Sequence, residues 1–84
     1  MIKADLDKNL LVTGTGRKIR FDKNLYLNVV KFLMKKFNVT YEQAYSQLNY
    51  FLATNNRVNG DRKSTNARLN NIINLDYEWA ELWN

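Results

Sequence analysis

The sequence predicts a small α+β fold, mostly helical, in which an N-terminal β-hairpin precedes a bundle of three to four helices. Three observations lead there. Alternation of apolar and polar residues with period two is confined to the first twenty or so positions. Asp22 and Thr40 are strong helix-start residues, and each opens a run of apolar side chains at helical spacing. Only Asn38 and its neighbours separate those two runs, so the helices fold back on each other as an αα-hairpin.

The hairpin region spans residues 2–21. Ile2, Ala4 and Leu6 alternate with Lys3, Asp5 and Asp7, which predicts a first strand, and Asp7-Lys8-Asn9 has turn composition. Leu10–Thr13 and Lys18–Phe21 are then expected to pair across Gly14-Thr15-Gly16-Arg17. In that arrangement Ile19 and Phe21 face the core, while Lys18 and Arg20 point outward. Two glycines and a following Lys invite comparison with phosphate-binding loops. The spacing of a P-loop and the third glycine of a dinucleotide fingerprint are both missing, so the segment reads as a turn that uses Gly for positive φ.

Helix one, with its flanks, occupies 22–38 and should run from Lys23 to Phe37. Asp22 caps it, and Phe21 can staple onto Tyr26. Leu25, Tyr26, Val29, Val30, Leu33 and Phe37 form its apolar face, with Asn24, Asn28, Lys31, Lys35 and Asn38 opposite. Helix two occupies 40–54. Thr40 and Gln43 make a capping box, Val39 can staple onto Ala44, and Tyr41, Ala44, Tyr45, Leu48 and Leu52 share one face beside Phe51. A polar loop over 54–63, carrying Asn59-Gly60, leads to helix three. That helix spans 64–83, starts near Ser64 or Thr65 and uses Leu69, Ile72 and Ile73. It should break near Leu75, because an unbroken helix would put Asp76 on the apolar face. Asp76 would then cap a final segment packed through Trp79, Leu82 and Trp83.

Length and composition set the outer bounds. The 84 residues fit one domain, 1–84, near the lower limit of what folds unaided. Apolar residues make up 45% and aromatics 13%, far from a disordered composition. No cysteine is present, so packing alone must supply stability, and dimerisation is a reasonable expectation. Asp5 and Asp7 interrupt any export-signal core, and Lys31 and Lys35 interrupt the longest apolar stretches. No membrane segment is therefore expected, and the protein reads as cytoplasmic.

The absence of both His and Cys removes the commonest nucleophiles, proton shuttles and metal ligands. Asp5 and Asp7 fall on one strand face and Glu42 in the first turn of a helix, a spacing that does not bring paired carboxylates together. The expectation is a protein that is not an enzyme, with no catalytic residue, no metal site and no cofactor.

Charge is uneven. Residues 1–40 carry nine Lys/Arg against three acids, residues 41–75 four against two, and residues 76–84 three acids and no base. Arg17, Lys18 and Arg20 on the hairpin, with Lys31 and Lys35 on helix one, are the candidate nucleic-acid-binding residues, since cations of this kind release counterions from phosphate backbones. The competing reading is a solvated face, with Lys35 and Lys36 offsetting the helix dipole. Arg57, Arg62, Lys63, Ser64, Thr65, Asn66, Arg68 and Asn70 form a second donor-rich stretch. A loop of about ten residues weakens a helix-turn-helix assignment and leaves a winged arrangement with the N-terminal hairpin as the alternative to solvated loop, the favoured reading. Tyr26, Tyr50, Tyr77, Trp79 and Trp83 are the candidate protein-binding residues, because aromatic anchors concentrate at interface centres. Against that, Trp79 and Trp83 can close the core; Trp79 is expected inside and Trp83 at least partly exposed.

Heavy use of Asn, Lys, Ile, Tyr and Phe matches AT-rich codons and suggests a low-GC bacterium or one of its phages. In size and composition the chain resembles the accessory proteins of phages and mobile elements. That class includes small DNA-binding regulators and stoichiometric inhibitors of host enzymes such as anti-CRISPR proteins. The leading functional expectation is a non-catalytic inhibitor or modulator that occupies a surface of a larger protein, with a protein that handles nucleic acid as the candidate target. A small basic DNA- or RNA-binding regulator is the alternative, and a homo-oligomeric assembly component the third.

Overall fold

The structure is a computed structural model that describes residues 3–54 and 59–74. A three-stranded antiparallel sheet is followed by three helices. The strands are β1 (Lys3–Asp5), β2 (Leu10–Val12) and β3 (Lys18–Arg20), and the helices are α1 (Lys23–Phe37), α2 (Tyr41–Thr54) and α3 (Arg62–Asn74). The α+β, mostly helical class is as the sequence predicts, and the alternating segment ahead of the hairpin forms a third strand. Segment 3–5 pairs with β2 in the order β1-β2-β3, with Ala4 opposite Leu11 and Leu11 opposite Ile19.

The turns follow from local chemistry. Asn9 takes a left-handed φ of 57° in the β1–β2 turn, where Asn is one of the few residues at ease outside Gly. At the other turn the Gly16 N–H donates to the Thr13 carbonyl at 3.0 Å and the Thr13 N–H to the Arg17 carbonyl at 2.9 Å. Gly16 has φ +84°, so Gly14-Thr15-Gly16-Arg17 is the hairpin turn that its composition predicts.

Neither edge of the sheet is left bare. On β1 the Ala4 N–H donates to the Tyr45 hydroxyl at 3.1 Å, and that hydroxyl lies 3.5 Å from the Ala4 carbonyl as donor. On β3 the Arg20 N–H donates to the Gly60 carbonyl at 2.8 Å. A side chain from α2 and the loop before α3 thus occupy the positions where a further strand would pair.

Capping explains the helix boundaries. The Asp22 carboxylate accepts the Leu25 N–H at 3.1 Å, and Phe21 stacks on Tyr26 with ring centroids 4.6 Å apart, the expected staple. Asn38 ends α1 in the left-handed region, with its own N–H and that of Val39 both directed at the Met34 carbonyl. Thr40 and Gln43 form the reciprocal box at 2.9 and 3.2 Å, a cap that contributes about 1 kcal/mol. α3 starts two residues earlier than the sequence reading places it. Asp61 is its cap: the Ser64 N–H donates to the carboxylate at 2.9 Å and the Ser64 hydroxyl at 2.8 Å. The expected break near Leu75 and the final segment to Trp83 lie outside the described residues.

One apolar cluster holds the elements together. Leu11, Ile19 and Phe21 from the sheet region meet Tyr26, Val29, Val30 and Leu33 of α1, Ala44, Leu48, Phe51 and Leu52 of α2, and Leu69 and Ile72 of α3. α1 is the central element, packing on both α2 and α3, and α3 also reaches β3. The inner face of the sheet is therefore consumed by the core, and its outer face looks away from the helices.

Candidate binding surfaces

The solvent face of α2 differs in chemistry from the rest of the molecule. α2 contains no Lys or Arg, in a chain that has 13 of them, and Glu42 is its one charged residue. Gln43, Ser46, Gln47, Tyr50 and Thr54 recur at spacings of three and four on the side away from Leu48 and Leu52. Tyr50 is 59% exposed, the most exposed large hydrophobic side chain among the described residues. Val39, Glu42, Gln43, Ser46 and Gln47 line an adjoining open depression of about 490 Å³. Glu42 is the only ionisable group among these lining residues, so the depression has hydrogen-bonding groups but no acid–base pair.

Tyr41, expected on the apolar face of helix two, is the second exposed aromatic, at 43%. It shares the apolar face of Tyr45 and Leu48, but it lies in the first turn, where the core has run out. Its ring stacks on Tyr45 with centroids 5.9 Å apart, and Tyr45 in turn meets Tyr26 edge-on at 6.2 Å.

Tyr26 requires a correction. It was expected both on the apolar face of helix one and among the surface anchors; it is 0% exposed, so it offers no ring to a partner. Burial and the neighbouring Tyr45 and Tyr41 hydroxyls push its phenol well above the ordinary tyrosine range, against the pull of its hydrogen bond to Asn49. Tyr77, Trp79 and Trp83 lie outside the described residues. Of the five aromatic candidates, Tyr50 is the one placed at the described surface.

All five basic candidates are exposed, but they do not form one surface. Lys18 and Arg20 project from the outer face of β3, on either side of the buried Ile19. Arg17 sits at the hairpin tip, where its Nε lies 4.0 Å from the position a Cβ on Gly60 would take. Lys31 and Lys35 lie on the solvent stripe of α1, opposite Val29, Val30 and Leu33, about 12 and 18 Å along the axis from the helix start. The core lies between the two groups.

The second donor-rich stretch is largely used up internally. Asn66 Oδ1 accepts the Asp22 N–H at 2.9 Å, and Arg62 pairs with the Asp22 carboxylate at 3.0 Å. Ser64 bonds Asp61, and the buried Thr65 hydroxyl donates to the Asp61 carbonyl at 2.9 Å. The start of α3 is thus stitched to the start of α1. The Leu25 N–H and then the Arg62 guanidinium hold the Asp22 carboxyl below the usual carboxylate range. Ser64 does the same for Asp61, through its N–H and its hydroxyl.

Among the described residues, no group of three or more His, Cys, Asp or Glu is placed to hold a metal ion. No described helix is long and apolar enough to cross a membrane. No family model matches the chain, and neither the curated proteins nor the solved structures compared with it give a significant match.

Proposed function

We propose that this chain is a non-catalytic binding protein that modulates a larger protein by covering part of its surface, with the outer face of α2 as the docking face. One observation carries the reading: the charge-poor stripe Gln43, Ser46, Gln47 and Tyr50 on an otherwise cationic molecule. Interface centres are depleted of Lys, Glu and Asp and enriched in Tyr, and amide and hydroxyl side chains supply adaptable hydrogen bonds around such an anchor. The partner that fits is a protein surface with a shallow uncharged pocket for the Tyr50 ring and hydrogen-bonding groups around it. An origin in a phage or mobile element, with a host protein as target, belongs to the same proposal and rests on composition.

The test compares wild type with Tyr50→Arg as bait in nuclease-treated lysate, with thermal melting as the fold control. A retained protein that Tyr50→Arg loses, while its melting temperature holds, is the expected result. Retention of the same protein by Tyr50→Arg overturns the assignment of this face. Conversion of a dimer to a monomer by the same change, seen in light scattering, replaces it with self-association.

A further inference from the structure

We infer that the outer face of the sheet is a second, independent surface: a site for the phosphate backbone of duplex nucleic acid, built from Lys18 and Arg20 of β3 with Arg17 at the hairpin tip. The register lays out the face as two rungs. One runs Lys3, Val12, Lys18 and the other Asp5, Leu10, Arg20. The centre is thus half-buried Val12 and Leu10, flanked on the β3 side by two exposed cations about 6.6 Å apart along the strand.

Three features favour a phosphate backbone as the occupant. First, the cations are available. Lys18 and Arg20 make no side-chain hydrogen bond or ion pair among the described residues, and the nearby acids Asp22 and Asp61 are engaged in helix caps and by Arg62. Asp5 is the one acid on this face. It lies across β2 from Arg20, about 9.6 Å away in the sheet plane. Second, the face presents aliphatic side chains and no aromatic among the described residues. Single-strand binders stack bases on aromatic platforms, so a face without them suits the outward phosphates of a duplex. Third, both sheet edges are occupied, at Ala4 by Tyr45 and at Arg20 by Gly60. Strand addition by a protein partner is thereby disfavoured, and what binds must lie across the face.

Contacts of this kind position a duplex without reading its sequence. Two phosphates neutralised on B-DNA by Lys18 and Arg20 give a log–log salt slope of about −1.8, or about a 12-fold loss of affinity between 50 and 200 mM salt.

The experiment is fluorescence anisotropy with a short labelled duplex of mixed sequence across that salt range. Lys18→Gln and Arg20→Gln should each reduce the slope by about 1, and the combined Arg17, Lys18 and Arg20 to Ala variant should nearly abolish it. Lys31→Ala with Lys35→Ala, on the other side of the core, should leave it unchanged. The two single changes are exposed and charge-only, so they keep the test valid if the triple variant fails to fold. An unchanged slope in both single variants overturns the site, as does absence of binding at low salt. Tighter binding of a single strand of equal length overturns the duplex assignment, and equal competition by polyglutamate overturns the nucleic-acid assignment. Because Tyr50 lies on α2, its loss should not move the slope, which separates failure of this site from failure of the α2 face.

Discussion

Tyr26 and Asn49 form a buried polar pair between α1 and α2: the tyrosine hydroxyl donates to Asn49 Oδ1, and Asn49 Nδ2 has no hydrogen-bond partner among the described residues. Both residues are almost fully enclosed by apolar side chains. A buried donor without a partner carries a desolvation cost that its satisfied neighbour only partly offsets. Tyr26→Phe should therefore destabilise by about 1–3 kcal/mol, since it leaves Oδ1 unpaired as well. The double variant Tyr26→Phe with Asn49→Leu should return close to wild-type stability or exceed it. Urea unfolding of the two single variants and the double checks this, and simple additivity of the losses would contradict it. The same burial raises the Tyr26 pKa, so the folded state favours the neutral phenol. Its contribution is complete below about pH 10, where the unfolded tyrosine is neutral too, and is lost as pH rises above that value. Tyr26→Phe should soften the alkaline loss of stability.

Two glycines of positive φ should respond differently to a methyl group. At Gly16, φ +84°, an added Cβ meets nothing within 4 Å, so Gly16→Ala carries the left-handed penalty alone, about 1–2 kcal/mol. At Gly60, φ +97°, the Cβ would come within 2.9 Å of the Lys18 carbonyl, and the Gly60 carbonyl is already committed to Arg20. Gly60→Ala should cost clearly more. Equal urea midpoints for the two variants would show that the loop yields without strain.

Acid should weaken the junction between α1 and α3. Asp22 and Asp61 both have lowered pKa values, which means that the folded state favours their ionised forms. The stability they contribute is present above the ordinary carboxylate pKa of about 4 and is lost as pH falls through their lower folded values. Asp22→Asn and Asp61→Asn should each flatten the acid limb of a melting temperature profile. An acid limb identical to wild type in both variants would refute the linkage.

Signals carried within a few residues were legible in the sequence. The bounds of α1, the Thr40–Gln43 box and the outward Lys18 and Arg20 follow from caps, turns and periodicity, and the structure places them there. Features that depend on distant partners were not. The alternation over residues 2–7 announced β1, but not that Tyr45, 41 positions on, covers its outer edge. The role of Arg62 and Asn66 depends on Asp22, which their own stretch of sequence does not contain. Asp61 was legible and was missed, because its position three residues before Ser64 is a capping signal that the polar loop concealed. Tyr26 lay on the apolar face all along. What local pattern could not supply was a buried partner for its hydroxyl, which Asn49 provides.

The stitch at the start of α3 sets an order of events. Asp22 is tied to Arg62 and Asn66, 40 and 44 residues away, and Arg20 to Gly60 across a comparable span. The α1–α2 pair lies wholly inside that loop and needs only nearest-neighbour closure, so the long-range tie is the more expensive in chain entropy. Departure of α3, with α1 and α2 still together, is one partial opening that this order of closure allows. That opening would strip Gly60 from β3 and bare a strand edge that another copy could pair with. The Arg62–Asp22 ion pair, exposed and modest in energy, is one of the ties that keep that edge covered, and weakening it should show first in the lifetime of concentrated solutions.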